Sequence, residues 1–146
     1  MIERKGPAKP RRNPWLTDVG ASPYRSLTPF GAILMRAVQA TPGAIGGAFA
    51  DWEGEMIDDF TTRDPTEWAV LTAHYGVVLG QLHAAFGTWH FGGPDYFIAQ
   101  HEVLDIVVHS VYGGYYTLLA VTVPAPLGHA LRNLRAAARA LHREML

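Results

Sequence analysis

Residues 64–88, DPTEWAVLTAHYGVVLGQLHAAFGT, constrain this chain most, because they place two apolar stripes on one helical period. Asp64 is a good N-cap, Pro65 fits the first helical position, and Glu67 gives a capping-box-like start. At about 100° per residue, Trp68, Leu71, Tyr75, Val78, Leu79, Leu82 and Phe86 gather as a face of large residues. Ala69, Ala73, Gly76, Gly80, Ala84 and Gly87 gather about 145° away as a face of small ones. Glu67, His74 and Gln81 form a polar flank between them, and Thr72 and His83 form the other. A surface helix needs only one apolar stripe, so this one has two sides to cover. Each glycine inside a helix costs about 1 kcal/mol relative to alanine, and a closely approaching neighbour is what recovers that cost.

The flanking sequence supplies a sheet. Thr28 caps a first helix with Pro29 at its first position, and Phe30, Ile33, Leu34, Ala37 and Val38 form its buried stripe. Pro42-Gly43 stops it. Residues 44–50 and 55–60 read as a hairpin turning through DWEG. Gly46 and Gly47 weaken its first strand unless something packs closely on them. After the central helix, WHFGGP is a loop. Residues 96–100, 103–109 and 115–123 are strands, the middle one alternating Leu104, Ile106 and Val108 against Asp105, Val107 and His109. The last is almost continuously apolar, as expected in the middle of a sheet covered on both faces. Pro124 and Pro126 lead into a final helix. There Leu127, Leu131, Leu134, Ala138, Leu141 and Met145 oppose Arg132, Arg135, Arg139 and Arg143. The order is αββαβββα, an α+β chain with one five-stranded antiparallel sheet and helices on both faces.

Charge divides the chain into an arm (1–25) and a folded domain (26–146). Arg4, Lys5, Lys9, Arg11 and Arg12 stand against Glu3 alone in residues 1–13, whereas residues 26–131 hold ten acids against Arg36 and Arg63. The arm also carries Pro7, Pro10, Pro14 and Pro23, and reads as disordered or loosely docked. It has little to bury, so its loss is expected to leave folding intact. It lacks the interleaved aromatics of a nucleic-acid-binding segment. There is no apolar leader and no window long enough to span a membrane, so a cytoplasmic location is expected.

The chemistry that is missing narrows the function. With no cysteine, thiol catalysis, thiolate metal sites and disulfides are excluded. Lys5 and Lys9 are the only lysines and both lie in the arm, so there is no Walker-A lysine. Ser22, Ser26 and Ser110 sit in no nucleophile-elbow context, and residues 43–47 lack GxGxxG spacing. His74 and His83 fall on opposite sides of their helix, and His101 and His109 are too far apart along a strand to share an ion. Asp51, Glu53, Glu55, Asp58 and Asp59 form a rim at the hairpin, suited to solvent or a basic partner rather than acid–base chemistry. No catalytic residue, metal site or cofactor is expected.

The hairpin AIGGAFADWEGEMIDD, the helix WAVLTAHYGVVLGQL and the ending TVPAPLGHALRNLRAAARAL, in this order, resemble the roadblock/dynein-light-chain family over residues 27–145. Within it they are most similar to bacterial members that regulate Ras-like GTPases in gliding motility and polarity. The resemblance implies a homodimer or heterodimer that pairs its central helices and joins its third strands edge to edge. On that reading Ala69, Ala73, Gly76, Gly80 and Ala84 face the second subunit, with Tyr96 and Ile98 at the strand edge. The large stripe then packs on the chain's own sheet. The reverse assignment stays open, since Gly46 and Gly47 also permit close helix–sheet contact. The family implies a non-enzymatic partner of a small Ras-like GTPase, met by Glu67, His74 and Gln81. The alternative is a structural adaptor bridging a larger assembly.

Overall fold

The structure is a computed structural model that describes residues 13–20 and 27–146. Its order is α1 (Pro29–Ala40), β1 (Ala44–Asp51), β2 (Met56–Thr61), α2 (Pro65–Phe86), β3 (Tyr96–Gln100), β4 (Leu104–Val111), β5 (Tyr115–Thr122) and α3 (Leu127–Met145). All strand pairs are antiparallel, and the sheet order is β2-β1-β5-β4-β3. The apolar run of β5 therefore lies at the centre, and β3 is an outer edge.

Local chemistry sets the helix starts. The Thr28 hydroxyl accepts the Gly31 N–H at 3.0 Å, and the Asp64 carboxylate accepts those of Thr66 and Glu67 at 2.9 and 3.0 Å. At the hairpin tip Asp51 accepts the N–H groups of Glu53 and Glu55, both at 3.0 Å. One carboxylate of the acidic rim thus shapes its own turn.

The period of two along each strand separates two cores. On one face Ile45, Ala48, Ile106, Val108, Tyr116 and Leu118 pack under Trp68, Tyr75 and Leu79 of α2. On the other, Phe49, Val107, Leu119 and Val121 pack against Ile33, Leu34 and Val38 of α1 and Leu134 and Leu141 of α3. Gly46 lies under the Trp68 ring, where an added Cβ would stand 2.8 Å from the indole. The close neighbour this strand glycine needs is thus a side chain of the central helix.

The described part of the arm, residues 13–20, docks on the body. Trp15 packs against the α2-side core. The Arg63 Nε donates to the Trp15 carbonyl at 2.8 Å, its guanidinium stands 3.4 Å from the Asp18 carboxylate, and the Val19 N–H donates to Thr62 O at 2.8 Å. Of the two states the sequence left open for the arm, residues 13–20 are docked, held to the domain by one indole and one arginine. Residues 1–12 and 21–25 of the arm lie outside the described residues. Deleting residues 1–22 is expected to lower stability by about 1–2 kcal/mol from the lost indole burial. That corresponds to a melting temperature about 2–8 °C lower, read by circular dichroism.

Candidate functional site

The side of α2 that meets the sheet is set by Trp68, Thr72, Tyr75, Gly76 and Leu79, all buried. Gly76 belongs to this set because Tyr116 rises from β5 beneath it. The Tyr116 hydroxyl donates to Thr72 O at 2.7 Å, and a Cβ on Gly76 would lie 2.5 Å from that oxygen. Burial foremost, and the Asp51 carboxylate secondarily, push the Tyr116 pKa up, so the phenol keeps its proton and its donor role.

At Gly76 the small stripe meets the chain's own sheet, the arrangement the sequence left open. Gly76 packs on its own sheet, and the next two small residues face the β1–β2 hairpin. An added Cβ on Gly80 would stand 3.6 Å from Trp52 O, and one on Gly54 would stand 3.5 Å from Ala73 O. The close approach at Gly76 is intramolecular. Ala69 and Ala84 are exposed. The large stripe is split as well: Val78 and Phe86, expected on the sheet, are 39% and 40% exposed.

What faces outward instead is a mixed ridge. Val70 and Val77 are 51% and 53% exposed, with Ala84 beside them. Glu67, His74 and Gln81 are all exposed along this side. His74 is held by its Nδ1, 2.7 Å from Val70 O one turn back.

Between α2 and the β3 edge runs a trough. Tyr75 stacks on Phe97 at its middle, with ring centroids 6.1 Å apart. Toward one end, Leu82, Phe86, Phe91, Pro94 and Phe97 line a largely apolar cleft of ≈ 350 Å³. Toward the other, Trp15, Leu71, His101, Val103 and Ile106 line one of ≈ 370 Å³. His101 Nε2 is hydrogen-bonded to the Tyr75 hydroxyl, whose pKa burial raises. On β3 itself, Tyr96 and Ile98 are exposed at 40% and 36%, while Phe97 and Ala99 turn toward α2. An edge strand with exposed apolar residues is a template for pairing with another chain.

Two features had no clear signal in the sequence. Trp52 at the hairpin stacks on His83 with ring centroids 4.3 Å apart, which ties the hairpin tip to α2. Gly93 closes on the same imidazole, where an added Cβ would lie 2.3 Å from Nδ1. The glycines and aromatics of WHFGGP were the available hint, but only the fold brings that loop onto residue 83. Among the described residues, no group of three or more His, Asp or Glu is placed to hold a metal ion. No helix among them is long and apolar enough to cross a membrane.

No protein-family model matches the sequence, and no curated protein matches it. Solved structures do. The gliding protein MglB of Thermus thermophilus superposes with a TM-score of 0.71 at 17% identity, covering 87% of this chain and 96% of that one. An MglB in a tetrameric arrangement gives 0.69 at 19% identity, covering 77% and 84%. A Roadblock/LC7 domain from Streptomyces avermitilis gives 0.64 at 11% identity, covering 78% and 95%. With α2 alone on one face of a β2-β1-β5-β4-β3 sheet and α1 and α3 on the other, the chain has the roadblock/LC7 fold of the MglB-type gliding proteins.

Proposed function

We propose that this protein is a homodimeric interaction module that binds a small Ras-like GTPase and biases its nucleotide state. The observation that carries the reading is the outer side of α2 beside the open β3 edge. Val70, Val77, Val78 and Phe86 are exposed next to an apolar trough and an unpaired strand. Contiguous apolar exposure of this kind marks a surface that another chain covers. Pairing α2 with α2 and β3 with β3 across a twofold would bury on the order of 1,200–2,000 Å². The likeness to an MglB in a tetrameric arrangement supports self-association.

The GTPase role rests on the family resemblance, and the chain's own chemistry fits it. The folded domain has no lysine and no glycine-rich phosphate loop, so nucleotide chemistry would reside in the partner. A regulator without a donated catalytic group works by binding one arrangement of the partner's switch segments more tightly than the other. Glu67, His74 and Gln81 are the proposed contacts, exposed on the flank of the seam. Changing His74 and Gln81 together to alanine is expected to weaken GTPase binding about tenfold. Calorimetric titration with a co-purifying GTPase, paired with light scattering, checks this. Unchanged affinity would move the partner surface elsewhere. Failure of any Ras-like GTPase to bind would favour the structural adaptor.

A further inference from the structure

The face opposite α2 has a charge pattern that self-association and GTPase binding do not use. Arg132, Arg135, Arg139 and Arg143 recur at intervals of three and four on α3, so they share one exposed side about 16 Å long. Arg36 of α1 joins them across the helix–helix groove, which it lines with Asn133, Ala136 and Ala140 (≈ 260 Å³). A second hollow of ≈ 340 Å³ lies between Arg132, Arg135, Ala136 and Arg139. Against these five arginines the two helices carry Glu144 alone. None of the five forms an ion pair among the described residues.

The platform is fixed in place. Asn133 Nδ2 donates to Thr41 Oγ1 at 2.8 Å and to Ala40 O at 3.2 Å, tying α3 to the end of α1. The Arg135 guanidinium lies 5.4 Å from the centroid of the Tyr96 ring. That contact sets the basic stripe beside the β3 edge. In the dimer proposed above, the stripes of both protomers would therefore flank the seam on one face.

The composition of this face selects among anionic partners. A specific protein interface centres on aromatic or other large anchors, whereas the exposed position between Arg135 and Arg139 is an alanine, Ala136. Stacking of single-stranded bases takes aromatic rings interleaved with the cations, and residues 132–139 include none. Clusters of four to eight basic residues suit anionic headgroups. At the rim, Tyr112 is 81% exposed with its ring 5.4 Å from that of His142, and tyrosine favours the headgroup level of a bilayer.

We propose that the α1/α3 face docks on an anionic phospholipid bilayer, with the arginines on headgroup phosphates and Tyr112 at the headgroup level. The α2 ridge, on the opposite side of the sheet, then points away from the bilayer, on the side of the proposed dimer seam and protein partner. Sedimentation of the full chain with phosphatidylcholine vesicles, with and without phosphatidylglycerol, tests this. Binding is expected only to the anionic vesicles and is lost at high salt. R132Q/R139Q is expected to weaken it about tenfold or more. Changing Arg4, Lys5, Lys9, Arg11 and Arg12 to glutamine is expected to leave most of it. Arg132 and Arg139 are exposed and have no ion pair among the described residues, so the fold should persist, as a melting curve verifies; the single variants decide if the double one misfolds. No binding to anionic vesicles would overturn the proposal. So would binding that survives the α3 variants and vanishes with the arm variant, or tighter binding of duplex DNA through Arg132 and Arg139.

Discussion

Gly76→Leu is expected to destabilise the folded chain itself, lowering its melting temperature by about 2–12 °C. The physical reason is the Tyr116 ring. It is fully buried, its hydroxyl is committed to Thr72 O, and a Cβ on Gly76 would already stand 2.5 Å from that hydroxyl and 2.9 Å from the ring. Overpacking of this kind typically costs about 1–3 kcal/mol, at about 2–4 °C per kcal/mol for a chain of this size. Gly76→Ala should show a smaller version of the same loss. Combining it with Tyr116→Phe, which removes the nearest atom, should recover part of it, a coupling that a double-mutant cycle isolates. A Gly76→Leu protein with an unchanged melting curve and a lost dimer would return Gly76 to the outer face.

Val70→Glu/Val77→Glu is expected to do the opposite: leave the protomer folded and dissolve the dimer. Both valines are about half exposed and point away from the buried Leu79 side of α2. Surface changes of that sort usually move protomer stability by no more than about 0.5 kcal/mol. In a seam between two central helices the same carboxylates would be buried without partners and, by symmetry, near each other. Weakening of self-association by about 100-fold or more is expected, read as mass against concentration by light scattering. A variant that stays dimeric would place the seam elsewhere, with the β3 edge next to be tested by Ile98→Pro.

The elements were legible in the sequence because each carried its own signal. Thr28-Pro29 and Asp64-Pro65 marked two helix starts, DWEG marked the hairpin, and the apolar run of residues 115–123 marked the centre of the sheet. The site was legible only in part. Periodicity separated the stripes of α2 but could not say which neighbour each meets, because a glycine accommodates a partner helix or a tyrosine ring alike. The decisive residue, Tyr116, is forty positions from Gly76 in sequence and meets it only through the sheet order. The docking of Trp15 stayed open in the sequence for a related reason. Arm composition predicts little burial, yet one indole and the distant Arg63 suffice to hold residues 13–20.

The most direct test of the GTPase reading compares one partner in its two states. A co-purifying Ras-like GTPase is loaded with GDP or with a non-hydrolysable GTP analogue. Its affinity for this protein is measured in each state, and its turnover of GTP is followed with and without the protein. A regulator can shift a two-state equilibrium only by the difference in its affinity for the states. The predicted result is about tenfold or greater preference for one nucleotide state, with a changed rate of turnover or exchange. Equal affinity for both states with unchanged turnover would contradict regulation and leave a scaffold.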